Sequence, residues 1–218
     1  MIVQAVVFDF DGVISDSEPL HLACYQEIFS GLGVTLTRED YYANLLGYND
    51  ADVFRIMGAQ HGWNWNSGEI AALIAQKAEI FDPAVAAGGV LYPGAAKCIE
   101  RLASVFPVGI ASGAFRHEIE PVLRHAGLLH HFRFIVGAGD TPNSKPAPDP
   151  YLRAAELHRL PPAECIAIED SRWGIESAKA AGMKCVGITN TYPASELTTA
   201  DRVISSLDEF TAELFESL

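Results

Sequence analysis

Phe8-Asp9-Phe10-Asp11-Gly12-Val13 follows directly on an apolar run of β-formers that begins at Ile2. Side chains at i and i+2 of a strand share a face, so the spacing predicts that both carboxylates are delivered together beyond the strand's carboxyl end. Open α/β sheets bind their ligands at that edge. Asp-Gly is also a common turn pair, and read alone the stretch is equally a strand ending in a polar turn. Three later segments repeat the construction of apolar run, polar residues and helical pattern, or carry its chemistry. Val108-Gly109-Ile110-Ala111 runs into Ser112-Gly113, Ile166-Ala167-Ile168 runs into Glu169-Asp170-Ser171, and Lys145 sits in Ser144-Lys145-Pro146-Ala147-Pro148-Asp149-Pro150. Alternating β and α patterns of this kind predict a parallel sheet with helices on both faces.

Asp9-x-Asp11, Ser112, Lys145 and Glu169-Asp170 stand in the order and at the spacing of the haloacid dehalogenase superfamily. The chain resembles, over nearly its whole length, the branch of that family that contains β-phosphoglucomutase and the small-molecule sugar phosphatases. The resemblance implies an α/β fold, with a Rossmann-like parallel-sheet core and an inserted α-helical cap domain over the active site. It implies that Asp9 is the nucleophile of an aspartyl-phosphate mechanism and Asp11 the acid and base, with Lys145 and Ser112 holding phosphoryl oxygens. It implies a Mg²⁺ site made by Asp9, Asp170 and the Asp11 backbone carbonyl, with Glu169 acting through water. The residue chemistry agrees: oxygen donors without histidine or cysteine favour Mg²⁺. Two carboxylates as close as Asp9 and Asp11 also require a cation or a shared proton nearby.

Composition narrows the partners. Across 218 residues, 49% of them hydrophobic, there is enough apolar surface for a large core plus a modest second domain. The formal net charge is −13, which repels a nucleic-acid backbone, so no nucleic-acid partner is expected. A small phosphate ester carries the same sign, and a site for one needs local positive character from a metal, a lysine or helix amino termini. Cys24, Cys98, Cys165 and Cys185 are far apart, with no metal-ligand spacing, and read as buried hydrophobes in a reducing compartment. The opening apolar stretch has no basic flank, and no run approaches the ~18 apolar residues of a membrane helix. The expectation is a cytoplasmic protein with no membrane contact and no readable protein partner.

Residues 1–15 and 89–218 are expected to form the α/β core and residues 16–88 the helical insertion. Leu22, Tyr25, Phe29 and Leu32 mark one helix face in the insertion, and Ile70 to Phe81 is a second apolar helical stretch. Gly88-Gly89 and Pro93-Gly94 suit a hinge at its end. Ser112 is expected at the start of a helix ending near Gly127. Further elements are expected at Phe134 to Gly137, Pro150 to Leu157, Gly174 to Ala181 and Asp201 to Ile204, with a terminal helix from Leu207 to Leu218.

Substrate choice is expected in the cap. Glu18 and His21, three apart at a helix start, share a face that either meets substrate or is simply an exposed first turn. Leu46-Gly47-Tyr48-Asn49-Asp50 resembles the cap loop of the mutase branch, giving Gly47, Tyr48 and Asn49 as candidate substrate contacts. That branch usually has an arginine where this chain has Asp50, and an acid there would repel a second phosphate. Gly113 and Arg116, beside Ser112, are further candidates, Arg116 for an anionic group. Ser171 reads as a helix cap, His130-His131 as a loop pair, and Trp63 and Trp65 as packing residues. The expected activity is a Mg²⁺-dependent phosphatase for a sugar or polyol phosphate, with a phosphosugar mutase as the alternative. Dehalogenation ranks third, because that branch generally lacks the second aspartate.

Overall fold

The computed structural model describes residues 3–46, 48–87, 91–211 and 214. Gly47, the Gly88-Gly89 pair of the expected hinge, Ile2 and all of the expected terminal helix beyond Thr211 except Leu214 lie outside the described residues. The chain divides into two compact units, one from Met1–Asp16 and Gly88–Leu218, the other from Ser17–Ala87.

The first unit is built on β1 (Ala5–Phe8). The second unit follows with α1 (Glu18–Gly31), α2 (Arg38–Asn44), α3 (Asp50–His61) and α4 (Ser67–Ala86). The chain then returns to the first unit through α5 (Ala95–Ala103), β2 (Val108–Ala111), α6 (Arg116–His125) and β3 (Phe132–Val136). It continues through α7 (Asp149–His158), β4 (Cys165–Glu169), α8 (Arg172–Ala180), β5 (Lys184–Ile188) and β6 (Arg202–Ile204). The six strands form one sheet in the order β3-β2-β1-β4-β5-β6, and every pairing is parallel. A parallel sheet is covered on both faces, which is why β1, β2 and β4 are buried at every position and read as continuous apolar runs. On one face, Ala5, Val7, Ala167 and Cys185 of the sheet pack with Tyr151 and Ala154 of α7 and Ile175 and Ala178 of α8. Burying each large side chain of this kind is worth about 1.5–3 kcal/mol. Exposed pairs such as Arg55–Asp52 contribute about 0–1 kcal/mol, so apolar packing decides the fold.

The strand order reverses between β1 and β4, and their register sets Phe8 beside Ile168. Asp9 and Glu169 therefore leave the sheet side by side at its carboxyl edge, at the switch point of a doubly wound sheet.

The regular elements among the described residues of the inserted unit are all helices. Its core joins Leu22, Tyr25 and Phe29 of α1 to Phe54 and Met57 of α3, with Trp63 and Trp65 packed against them. Leu32 departs from the expected face: it caps the carboxyl end of α1 and is 45% exposed. In α4, Asn66 accepts the Gly68 and Glu69 amides while Glu69 accepts the Asn66 amide at 2.8 Å, a capping box that sets where this helix starts.

Candidate active site

β1 ends at Phe8, so strand alternation is not what positions the two aspartates. The Asp9 amide still bonds the Ile168 carbonyl at 2.9 Å, but the chain then folds into a turn in which Ile14 and Ser15 donate to the Phe10 carbonyl at 2.8 and 2.9 Å. Gly12 makes that turn possible. It has φ +76°, and a Cβ there would lie 1.9 Å from an Asp170 carboxylate oxygen, so both its backbone and its missing side chain are used. Asn190 Nδ2 donates to the Gly12 carbonyl at 2.8 Å and ties the turn to the segment after β5.

Three acids meet there. Asp9, Glu169 and Asp170 are buried, and each offers a carboxylate oxygen within 4.8 Å of the others. Lys145 reaches the cluster from the loop before α7: its Nζ donates to Asp9 Oδ1 at 2.7 Å and to Glu169 Oε1 at 2.6 Å. Glu169, with no exposed surface, also accepts the Tyr151 hydroxyl at 2.7 Å and the Ser171 hydroxyl at 3.2 Å. Ser171 caps α8 by accepting the Gly174 amide at 3.1 Å, as read from the sequence. Gly174 has to be glycine, because a Cβ there would lie 1.9 Å from the Glu169 carboxylate.

Burial pushes the Asp9 carboxyl up to about 7; Lys145 opposes the shift, and Glu169 and Asp11 add to it. Burial, with Asp9 and Glu169 close by, likewise raises Asp170 well above the usual carboxylate range, although the Thr191 hydroxyl donates to it. For Lys145, burial alone would lower the pKa, and the Asp9 and Glu169 carboxylates reverse the shift and hold it protonated. One ammonium against three buried acids leaves the cluster short of positive charge. An all-oxygen donor set with that shortage fits a hard divalent cation.

Other sequence candidates are engaged differently. Asp11 interacts electrostatically with Asp9 but is not among the clustered carboxylates. Ser112 is buried in the loop after β2, where its amide bonds the Val136 carbonyl at 2.9 Å and its Oγ accepts the Ala114 amide at 3.0 Å. The following helix starts at Arg116, four residues later than expected, because Glu118 accepts the Phe115 amide at 2.7 Å and closes the first turn there. Gly113 is exposed. Arg116 donates to the Ile135 carbonyl and lies 3.4 Å from Glu120, with half of its side chain exposed. In the inserted unit, Tyr48 is exposed and Asn49 caps α3 by accepting the Asp52 amide at 3.0 Å. Glu18 accepts the Tyr41 hydroxyl at 2.6 Å. Buried Lys77 pairs with Asp50 and donates to His21 Nδ1 at 2.8 Å. Burial and the Lys77 charge push His21 down to about 3, so its ring is neutral, with the proton on Nε2.

Sequence reasoning missed Tyr151, Thr191 and Lys77. Lys77 left one signal: it is the single cation in the apolar stretch Ile70 to Phe81.

A parallel sheet of this order, with an aspartate after β1, a lysine before α7 and paired acids at the end of β4, defines a hydrolase of the phosphoryl-transfer class. The family model of the haloacid dehalogenase-like hydrolases matches residues 3–182. The chain belongs to that family and is an enzyme. It is 33% identical to protein CbbY of Rhodobacter capsulatus, over 95% of both chains. It is 30% identical to hexitol phosphatase B of Escherichia coli K12, over 97% of this chain and 96% of that one. Among solved structures, CbbY of Rhodobacter sphaeroides in complex with phosphate superposes with a TM-score of 0.85, at 26% identity and full coverage of both chains.

Proposed function

We propose that this chain is a Mg²⁺-dependent phosphoric monoester hydrolase that acts on a small sugar or polyol phosphate through an aspartyl-phosphate. The contact of Lys145 with both Asp9 and Glu169, beside Asp170, is the observation that carries the reading. Asp9, Asp170, the Asp11 carbonyl and, through water, Glu169 would hold the metal. When bound, Mg²⁺ neutralises charge on the phosphoryl oxygens.

The chain's own residues account for the rest of the reaction. A carboxylate oxygen of Asp9 attacks phosphorus in line and the ester P–O bond breaks, while Asp11 gives its proton to the departing oxygen. Asp11 then takes a proton from water as that water attacks the phosphorus, which releases inorganic phosphate and restores Asp9. Lys145 meets the phosphoryl oxygens as a point charge, and the Ser112 hydroxyl donates to one of them.

Selection of the ester is assigned to Glu18, His21, Gly47, Tyr48 and Asn49 of the inserted unit, with Gly113 and Arg116 of the core. The hexitol phosphatase relative supports a polyol or sugar phosphate. A mutase reading is weaker, because Asp50 is already paired with Lys77 and accepts the Tyr25 hydroxyl at 2.6 Å, and it offers no cation to a second phosphate. A cytoplasmic setting agrees with four buried, free cysteines. No helix among the described residues is long and apolar enough to cross a membrane.

Acid quenching during turnover tests the covalent step. Mass spectrometry of the quenched protein should find one phosphate on the peptide containing Asp9, and none in Asp9→Asn; equal labelling of the variant would refute the mechanism.

A further inference from the structure

Glu169 is a buried carboxylate whose two oxygens are divided between two sets of donors. Oε2 accepts the Ser171 hydroxyl at 3.2 Å, whereas Oε1 accepts both Lys145 Nζ at 2.6 Å and the Tyr151 hydroxyl at 2.7 Å. Tyr151 lies in the first turn of α7 with no exposed surface, and its ring packs in the core cluster among small residues such as Ala111, Ala154 and Ala167. Phenylalanine would supply that packing equally well, so the hydroxyl is there for something other than filling space. Among the described residues its hydroxyl donates to the oxygen that also holds Lys145, and the Lys145 ammonium lies 5.1 Å from the centre of the tyrosine ring.

We infer that Tyr151 is a positioning residue for phosphoryl transfer, which acts through Glu169 to fix the Lys145 ammonium against the Asp9 carboxylate. The inference rests on the phosphatase reading above. A carboxylate side chain turns easily about its last torsion, and two donors on one oxygen leave little freedom for that turn. Without the phenolic donor, Oε1 is restrained by Lys145 alone. The ammonium and the Asp9 oxygen it holds then gain slack relative to each other. A misplacement of 1 Å at a reacting group can cost on the order of a hundredfold in rate, so a fraction of that displacement should cost about tenfold. The loss falls on the chemical step, because what goes out of place is the attacking carboxylate.

The test is a double-mutant cycle of Tyr151→Phe and Lys145→Met, read as inorganic phosphate release from a sugar phosphate at saturating Mg²⁺, with thermal melts to establish that each variant is folded at the assay temperature. Tyr151→Phe should lower kcat about tenfold, leave KM and the half-saturating Mg²⁺ concentration within about twofold, and have less than a twofold effect once Lys145 is methionine. The same tenfold loss in both backgrounds overturns the inference. So does a loss that appears in Mg²⁺ affinity with kcat unchanged. A crystal structure of Tyr151→Phe gives a readout independent of rate: Lys145 retaining both contacts in their original geometry overturns the inference, and loss of its bond to Glu169 supports it. Absence of metal-dependent turnover in the parent enzyme would instead overturn the phosphatase reading, and the inference with it. Turnover in the parent with additive losses overturns the inference alone.

Discussion

Asp9 is held where ionisation is costly, beside two other acids and with one ammonium for relief. Its folded-state pKa of about 7 lies above its unfolded value, so its contribution to stability is complete below about pH 4 and is lost as pH rises through 7. Asp9→Asn should therefore abolish turnover and yet raise the melting midpoint of the metal-free protein at pH 8, as differential scanning calorimetry would register. His158 has the opposite sign. Its ring is buried against Phe134 at 4.6 Å, faces the Val6 backbone without a hydrogen bond of good geometry, and is pushed down to about 4 by burial and by the Arg133 charge. Stability from its neutral form is present above about pH 6.5 and is lost as pH falls through 4. The melting midpoint of His158→Leu relative to the parent should rise steadily between pH 6.5 and pH 4; a constant difference would contradict the assignment. Asp9, Lys145, Glu169 and Asp170 were legible in the sequence because each stands in a local motif. Tyr151 and Thr191 were not, because each meets its acid only once the sheet brings distant segments together.

The strongest local constraint among the elements is at α8. Its first turn packs directly on Glu169, and Ser171 both caps the helix and donates to that carboxylate. In an unconstrained helix, Gly174→Ala would gain about 1 kcal/mol. Here the new Cβ would collide at 1.9 Å with a carboxylate held from the other side by Lys145 and Tyr151. Overpacking of this sort costs about 1–3 kcal/mol, so the clash wins. Gly174→Ala should lower both the melting midpoint and kcat, and an unchanged enzyme would show that the turn can shift freely. Element existence was largely readable, and boundaries were less so. α6 starts at Arg116 rather than Ser112 because Glu118 accepts the Phe115 amide and closes the first turn there. The expected terminal helix does not begin at Leu207, where Glu209 accepts the Ser205 and Ser206 amides at 2.8 and 3.1 Å and closes a 3₁₀ turn over Leu207–Glu209; Leu214, further on, is helical.

For the molecule as a whole, a formal net charge of −13 surrounds a site meant for an anion. Lys145 is the cation that contacts Asp9 and Glu169, and it cannot offset three acids and a phosphate together. A bound divalent cation should therefore stabilise the fold as well as enable the reaction: saturating Mg²⁺ should raise the melting midpoint at pH 7.5 and EDTA should reverse the rise, by mass action on the folded state. The parallel sheet and the helical insertion were visible from periodicity and motif order, because β1, β2 and β4 are continuous apolar runs ending in polar residues. The substrate was not visible, since the same residue types make helix caps and ion pairs within the insertion, such as Asn49 with Asp52 and Lys77 with Asp50, as make ligand contacts.

The most direct measurement is inorganic phosphate release from a panel of hexose, hexitol and pentose phosphates, phosphoglycolate and nucleotides, each with Mg²⁺ and with excess EDTA. The account predicts metal-dependent release from the sugar or polyol phosphates, none with EDTA and none from Asp9→Asn. Release that persists at full rate in EDTA or in Asp9→Asn, or conversion of one sugar phosphate to an isomer without release, would contradict it.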